Sequence, residues 1–503
     1  MLHFFREGIF GVKAANSTNS RFAGWILLII GAYIFAVASS IAIYQNLTAG
    51  ATDLYPTWQG GKLFWEDGLS PYDDEVGIQS QLAIYDRLAK DDEDEFQFVY
   101  PFYLIVLFGP LALLEFQLAA AIFMEFLLLL LIGSLVLQLD ILGWLPKPIT
   151  LALLLLTVIT SYFSVRGLLL AQPAFLAFGF HIAAYWGIAY RKDGFAGVML
   201  ALSTIKPQTS YIIIPLLLLW AFRNDRRQLV TSFFTTFILL TSISFILRPE
   251  WFSEWRDRVF NYSNYAETYP VAHILTHPFD EIPDIVSLIA QIILSVLILI
   301  PVGRYWYKAI VKQDSTNFFW GVMLATCASL LIAPRVATTY YIELYPVLFM
   351  AAYLLEKRGS YTLLIMGTLF FLIGYWALHI TTLPPVDENG AGKEAPIVYV
   401  VFPVLIYWWL YAKPELWQRV DILQARPGLR AKGPRRLFST GEAQVIYAEP
   451  DAESVAETKP AAKVEESVTR PTTGATTLSE LPSTSVPSDE TPKPDAPSDP
   501  VKE

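Results

Sequence analysis

Long runs of apolar residues, separated by short polar segments, cover most of the chain between residues 22 and 412. The first run, 22–44, is long enough for a helix of about 20 residues, the length that crosses the hydrocarbon core of a bilayer. Twelve further apolar segments follow, several of them shorter, at 99–114, 116–138, 148–163, 167–190, 194–205, 208–222, 229–247, 284–303, 317–333, 337–355, 360–382 and 396–412. This pattern predicts an all-α protein that crosses the membrane many times.

Basic residues near the ends of the apolar runs predict the orientation, because loops rich in Lys and Arg stay on the cytoplasmic side. They are Arg6, Lys13, Arg21, Arg223, Arg226, Arg227, Arg304, Lys308, Lys312, Lys357, Arg358, Lys413, Arg419, Arg426, Arg430, Lys432, Arg435 and Arg436. We therefore expect a multi-pass plasma membrane protein whose two termini, 1–21 and the basic juxtamembrane segment 413–440, are cytoplasmic. Segments 45–97, 248–283 and 383–395 then face outside.

The number of crossings must be even if both termini are cytoplasmic, and 13 apolar segments violate this condition. The ambiguity lies within 99–222. Either 194–222 is one crossing interrupted at Lys206-Pro207, or two of the segments between 99 and 190 share one crossing. Arg191 and Lys192 favour a cytoplasmic loop and hence the second option. The sequence thus predicts a bundle of about 12 transmembrane helices spanning 22–412.

Composition and charge divide the chain further. Only 16% of residues are charged, and the net charge of −10 argues against a nucleic-acid partner. The charge is uneven, because the tail 441–503 carries −8, the outer loop 45–97 carries −9 and the remainder carries +7. The tail is rich in Pro, Thr, Ser and Glu, which predicts disorder. One Cys and five His residues make a metal site unconvincing.

Several polar residues interrupt the apolar runs, where they are costly and often mark a cavity or a ligand. Lys206-Pro207-Gln208 separates two short apolar segments, a pattern typical of binding sites near the membrane interior. Arg166, Gln172 and Arg335 also lie between or beside apolar runs. The cations among these residues are Lys206, Arg166 and Arg335, and together they could hold a phosphate. The alternative is that each one anchors the protein to lipid headgroups.

The outer loop 45–97 holds a second group of candidates. Asp53 follows the first apolar run by about nine residues, where a carboxylate could act as a general base near the bilayer. The alternative for Asp53 is a helix cap or a solvated acid. Aromatic residues could stack on sugar rings or form an interfacial belt; they are Tyr55, Trp58, Trp65 and Tyr72. The acidic run 91–95 indicates solvated surface.

The ordered set of motifs resembles the membrane-embedded GT-C glycosyltransferases, and most of all glycosyltransferase family 87, which transfers mannose from polyprenyl-phosphate-mannose. The resemblance runs from about residue 22 to 355. The motifs that carry it are Asp53, Gly68-Leu-Ser-Pro-Tyr-Asp73, Phe98-Val-Tyr-Pro101, Pro110-Leu-Ala-Leu-Leu, Ala171-Gln172, Ala196-Gly197, Ile205-Lys206-Pro207-Gln208 and Ala333-Pro334-Arg335. Two departures are Ala171, where the family has Gly, and Arg335, where an aromatic residue or His is common.

The resemblance implies that the chain is a GT-C-type enzyme that transfers a hexose on the extracytoplasmic face, with inversion and without a cofactor. It implies that Asp53 is the base and that Lys206, Arg335 and Arg166 bind the donor phosphate. Substrate-binding residues would be Gln172, Gln208, Tyr55, Trp58, Tyr72, Asp73 and Tyr100. The donor would be a polyprenyl-phosphate sugar and the acceptor a glycolipid or glycan.

A lipid transporter or flippase would also explain broken helices with Lys and Arg inside them. Such transporters commonly show internal sequence symmetry, which this chain lacks. A scaffold protein would not need the combination of Asp53 with Lys206-Pro207-Gln208.

Overall fold

The structure is a computed structural model that describes residues 34–90, 93–261, 284–315, 317–333, 336–382 and 395–412. These residues form α-helices and short 3-10 helices, with no β-strand among them. All of them lie in one compact unit, Met1–Arg435. The predicted segments 1–21, 413–440 and 441–503 lie outside the described residues, as does nearly all of 383–395.

The first half of the chain contains short helices around one long one. In chain order they are α1 (Ile34–Asn46), α2 (Tyr55–Asp67), α3 (Asp74–Tyr85), α4 (Tyr103–Ala112), α5 (Phe116–Leu142), α6 (Pro148–Thr160), α7 (Tyr162–Leu169), α8 (Ala174–Ala189), α9 (Asp193–Leu202) and α10 (Pro207–Ser210).

The second half contains most of the long helices. They are α11 (Ile213–Arg223), α12 (Arg227–Leu247), α13 (Trp251–Asn261), α14 (Asp284–Val311), α15 (Phe318–Ile332), α16 (Tyr345–Lys357), α17 (Tyr361–Thr382) and α18 (Pro396–Ala412). Three 3-10 helices lie between α-helices of the described residues, namely Thr48–Gly50, Ser203–Ile205 and Thr338–Leu344.

Four helices among the described residues are long and apolar enough to cross a membrane, namely α5, α12, α14 and α17. The pair α6 and α7 is a fifth candidate, because together they pass the same test although they bend by 43° at Ser161. Seven further apolar helices have 10–17 residues. At about 1.5 Å per residue they extend roughly 15–26 Å, less than the hydrocarbon core of about 30 Å. The structure therefore supports a membrane protein, while the count of 12 crossings stays a prediction.

The segment 45–97, which the sequence predicts to be an extracytoplasmic loop, is largely helical in the structure. Helix α2 has Pro56 in its first turn and ends at Gly68, whose φ of 69° is the left-handed conformation that glycine adopts most easily. Helix α3 begins after Asp73, whose carboxylate accepts a hydrogen bond from the backbone N–H of Glu75 at 3.0 Å. Both helices pack on the segment before α4 through buried residues that include Val76 and Phe98. The segment is therefore a folded part of the protein that packs on the residues before α4.

Helices α9 and α12 pass unusually close to each other at Gly197. A Cβ atom added there would lie 2.3 Å from the carbonyl oxygen of Leu229 and 2.8 Å from the amide nitrogen of Phe233. Both contacts are with backbone, which cannot move aside as a side chain would. The Ala196-Gly197 motif thus has a packing role, and the crossing orients the end of α9, from which the 3-10 helix Ser203–Ile205 leads to Lys206.

Candidate active site

Asp53 lies between α1 and α2, outside the candidate membrane spans, and part of its surface is exposed. Its backbone N–H donates to the carbonyl oxygen of Leu170 at 3.2 Å. Leu170 follows the last residue of α7, so this carbonyl is one of the helix-terminal acceptors that need a partner outside the helix. The hydrogen bond fixes the Asp53 backbone against the turn between α7 and α8.

That turn is a Schellman motif, and it places Gln172 beside Asp53. Gln172 N–H donates to the Gly167 carbonyl at 2.9 Å and Ala171 N–H to the Leu168 carbonyl at 3.0 Å, the bonding pattern of this motif. Ala171 has a φ of 49°, in the left-handed region that favours glycine. The motif therefore explains why glycine suits the position that Ala171 occupies. The Gln172 side chain then donates through Nε2 to Asp53 Oδ2.

A chain of donors leads from Lys206 to this carboxylate. Lys206 Nζ donates to the hydroxyl of Tyr100 at 3.1 Å, and that hydroxyl donates to Gln172 Oε1 at 2.9 Å. Gln172 in turn donates to Asp53. Because every bond points the same way, each group polarises the next in favour of a negative charge on Asp53. Tyr72 fixes the backbone of Tyr100, because its hydroxyl donates to the Tyr100 carbonyl at 2.8 Å.

Lys206 is held between two aromatic faces. Its Nζ lies 4.4 Å from the ring centre of Tyr100 and 4.8 Å from that of Tyr340, both within the range of cation–π attraction. The residue is only 4% exposed. It follows the 3-10 helix Ser203–Ile205 and precedes Pro207, which starts α10. Because the chain is non-helical at Lys206, its side chain points into the protein instead of along a helix surface.

The electrostatic surroundings of Asp53 raise its pKa from 3.8 to about 6. Burial is the main cause, because it disfavours the charged carboxylate, and the nearby carboxylate of Asp94 adds to it. Arg166 and Lys206 act in the opposite direction, and so does the hydrogen bond from Gln172. A carboxyl group with a pKa near 6 is ionised at neutral pH yet basic enough to take up a proton.

The structure brings together five of the predicted site residues: Asp53, Arg166, Gln172, Lys206 and Tyr100. Gln208 is the second residue after Lys206, and its Oε1 is buried without a hydrogen-bond partner among the described residues. Arg335 lies outside the described residues.

The other predicted residues take packing or capping positions. Trp58 is buried against the ring of Phe116 and donates to the Leu114 carbonyl at 2.9 Å, while Tyr55 packs on the same ring at a tilt of 58°. Tyr72 supports the backbone of Tyr100, and Asp73 caps α3.

Two residues of the site, Asp94 and Tyr340, are not among those predicted from the sequence. Asp94 comes from the acidic run that was interpreted as solvated surface, yet it is partly buried and acts on Asp53. Its carboxylate accepts from Phe96 N–H at 2.8 Å, and Phe96 has a positive φ of 48°. Tyr340 was missed because a tyrosine in an apolar run resembles an ordinary core residue. Only its partner Lys206, more than 130 positions away, reveals its role.

A groove of about 560 Å³ borders the turn that contains Lys206. Its walls are mainly apolar and aromatic, and they include Tyr103, Thr204, Pro207, Tyr211, Trp251 and Trp255. Thr204 and Pro207 lie two residues before and one residue after Lys206, so the groove borders the turn that carries the cation. Its volume is in the range of pockets that bind organic ligands. No group of three or more His, Cys, Asp or Glu residues in the described ranges is arranged to hold a metal ion.

Comparison with known proteins gives one match. Residues 98–334 match the sequence model of glycosyltransferase family 87. The chain is similar to that family over these residues. Together with the apolar helices, the match indicates a membrane glycosyltransferase. No curated protein and no solved structure matches the chain.

The matched range contains Tyr100, Arg166, Gln172 and Lys206, whereas Asp53 and Tyr340 lie outside it. The similarity to the family therefore covers most of the hydrogen-bonded chain, from Lys206 to Gln172. The connection to Asp53 comes from the hydrogen bonds of the structure.

Proposed function

We propose that this protein is a GT-C-type glycosyltransferase that moves a hexose from a polyprenyl-phosphate sugar to an acceptor hydroxyl. The observation that carries the proposal is the hydrogen-bonded chain from Lys206 through Tyr100 and Gln172 to Asp53. It joins a partly exposed carboxylate of raised pKa to a buried cation beside an apolar groove. These are a base for a hydroxyl, a site for a phosphate and a place for a lipid.

The chemical step needs few groups. The acceptor oxygen attacks the anomeric carbon as the bond from that carbon to the phosphate oxygen breaks, which inverts the configuration. The acceptor proton passes to Asp53 through Oδ1, which accepts no hydrogen bond from the described residues. Polyprenyl phosphate leaves as an anion without a general acid, and Lys206 and Arg166 stabilise the charge it gains. Arg335 is a third candidate for this role, on sequence grounds alone.

The groove beside Lys206 suits the isoprenoid tail of the donor. A tail in this groove would stay among apolar and aromatic side chains such as Trp251 and Tyr211 while the phosphate enters the site. The phosphate then lies at the mouth of the groove next to Lys206. The faces of Tyr100 and Tyr340, which contact the Lys206 ammonium, would form walls of the phosphate site.

Mannose is the proposed sugar and a glycolipid or envelope glycan the proposed acceptor, both on the basis of the family resemblance. We place the site on the extracytoplasmic face and both termini in the cytoplasm of a plasma membrane protein. The distribution of Lys and Arg supports this orientation. The reaction uses no cofactor.

The test is transfer from radiolabelled polyprenyl-phosphate-mannose to acceptors in a membrane extract by the purified full-length protein in lipid nanodiscs. We expect Asp53→Asn to lower the rate by about 10²–10⁴-fold, the usual contribution of a general base. Asp67→Asn is the matched control, because Asp67 is an exposed acid in the same outer segment. Near wild-type transfer by a folded Asp53→Asn protein would refute the assignment of the base.

The same preparation separates this proposal from a flippase. A flippase moves the fluorescent or labelled donor between leaflets and leaves its glycosidic bond intact. Translocation without any release of polyprenyl phosphate would therefore overturn the proposed transferase.

A further inference from the structure

A buried group of three polar residues lies next to the turn that carries Lys206 and takes no part in the proposed chemical step. His181 Nδ1 lies 2.8 Å from Glu343 Oε1, and His181 Nε2 lies 3.1 Å from Ser210 Oγ. The residues are 1%, 2% and 2% exposed, respectively. They come from α8, the 3-10 helix Thr338–Leu344 and α10. Three separate parts of the chain therefore meet at one imidazole.

The hydrogen bonds fix the roles of these groups. Ser210 Oγ also lies 3.2 Å from the carbonyl oxygen of Ser203, which can only accept, so the hydroxyl donates its proton there. His181 must then donate to Ser210 through Nε2–H. The remaining contact, between Nδ1 and Glu343, shares one proton, either as an imidazolium–carboxylate pair or as a neutral imidazole and a carboxylic acid. Both forms are neutral overall, which burial at this depth favours.

One arm of this group holds the backbone of Lys206. The Ser203 carbonyl that accepts from Ser210 Oγ also accepts from the backbone N–H of Lys206 at 3.2 Å. Ser203 and Ser210 stand at the two ends of the turn that contains Lys206. Removing the Ser210 hydroxyl therefore releases one of the two bonds that close this turn around the shared carbonyl.

The other arm holds the aromatic face over Lys206. Tyr340 and Glu343 are three residues apart in a 3-10 helix, and residues at this spacing lie above one another on the same face. Tyr340 covers the Lys206 ammonium, and Glu343, one turn further, is held by His181. His181 thus connects the turn that carries the cation with the helix that covers it.

We propose that His181 and Glu343 are positioning residues, which act through Ser210 and Tyr340 to hold the Lys206 ammonium in place for the donor phosphate. The inference rests on the proposed function, because it assigns the group a task in donor binding. It needs no charge on the pair, only its hydrogen bonds.

Two variants separate a positioning role from simple support of the core. Ser210→Ala removes the hydroxyl that joins His181 to the Lys206 turn and keeps the Cβ atom of a residue that also lines the groove. Glu343→Gln keeps the hydrogen bonds, because its amide can donate to Nδ1 of a neutral imidazole. Ser329→Ala is the matched control for the first: Ser329 is fully buried and its hydroxyl donates to the Ala325 carbonyl of its own helix at 3.0 Å.

Transfer from polyprenyl-phosphate-mannose is measured at several donor concentrations and pH values. For Ser210→Ala we expect the donor KM to rise about fivefold, as for the loss of one hydrogen bond, with a smaller change in kcat. Lys206 in its present position lowers the pKa of Asp53. If the ammonium moves away in Ser210→Ala, that pKa should rise, and the acid limb of kcat/KM should move to higher pH. A loss of folded protein alone would leave that limb in place. Glu343→Gln and Ser329→Ala should keep the wild-type donor KM and limb.

The outcomes can be assigned to one hypothesis or the other. If wild-type protein transfers no sugar, the proposed function fails. If the wild type is active and Ser210→Ala has the donor KM and acid limb of Ser329→Ala, the positioning inference is wrong. A Glu343→Gln protein that folds but shows a donor KM raised more than in Ser210→Ala would also overturn it, because the charge and not the hydrogen bonds would then matter.

Discussion

Replacing Asp53 with Asn should stabilise the protein at neutral pH even as it removes the base. The ionised carboxylate is partly buried and lies near Asp94, and these surroundings raise its pKa from 3.8 to about 6. Ionisation is therefore less favourable in the folded protein than in the unfolded chain. Asn is neutral and of the same shape, and its amide oxygen can still accept the hydrogen bond from Gln172.

The size of the effect follows from the two pKa values. One pKa unit is worth about 1.4 kcal/mol, so ionisation lowers the free energy of unfolding by at most about 3 kcal/mol. The sign depends on pH, because the folded pKa lies above the unfolded one. The gain in Asp53→Asn is complete above pH 6, declines as the pH falls from 6 towards 3.8, and vanishes below that. Many active sites sacrifice stability in this way.

The assay is thermal unfolding of the full-length protein in one detergent at pH 7.5, 6, 5 and 4, followed by circular dichroism. We expect a higher Tm for Asp53→Asn at pH 7.5 and convergence with the wild type near pH 4. Asp67→Asn, at an exposed position, should follow the wild type throughout. A Tm difference that does not change with pH, or a less stable Asp53→Asn at pH 7.5, would show that the carboxylate is not destabilised by its surroundings.

Three further predictions follow from the site and its supports. The kcat/KM for sugar transfer should fall about tenfold per pH unit below pH 6 as Asp53 takes up a proton. Because Asp94 raises and Arg166 lowers the pKa of Asp53, this acid limb should move to lower pH in Asp94→Asn and to higher pH in Arg166→Met. An acid limb that stays in place in both variants would contradict this electrostatic explanation. Ala171→Val should destabilise the protein by about 1–2 kcal/mol or more, because a β-branched residue is strained at a φ of 49°, whereas Ala171→Gly should keep wild-type activity; equal Tm values for the two variants would argue against the Schellman turn. Gly197→Ala should reduce the amount of folded protein in the membrane, since the new Cβ would meet the Leu229 and Phe233 backbone, while Gly133→Ala, where a Cβ meets nothing within 4 Å, should not; similar yields of both would contradict the close crossing of α9 and α12.

Asp53 and Lys206 could be selected as candidates from the sequence, because each is an exception to its surroundings. Asp53 stands just after an apolar run, and Lys206 separates two short ones, so each signals a function by itself. What the sequence could not give is their connection, since Asp53 and Gln172 are 119 positions apart and only the fold brings them together. The fold class was clear from the apolar runs. The number of crossings was not, because many described helices are shorter than a bilayer is thick.

Other features were hidden because their local pattern has a common and simpler explanation. Asp94 belongs to a run of acids that usually means solvated surface. His181 and Glu343 are single polar residues in largely apolar stretches, and nothing near them in the sequence indicates that they pair. The sequence does mark the ends of α2 and α3, with Pro56 at the start of α2, Gly68 at its end and Asp73 as the N-cap of α3. The high charge of the segment concealed them, because an acidic stretch after a membrane span reads as a loop.

Lys206 donates to Tyr100, not to Asp53. A direct contact between the two charges would have made a closed ion pair, and an ion pair has little reason to open for a substrate. Tyr100 and Gln172 lie between the two groups, so the base and the cation are linked by three hydrogen bonds but do not touch. Lys206 therefore remains available to a donor phosphate and Asp53 to an acceptor hydroxyl, so each substrate can meet its own charged group.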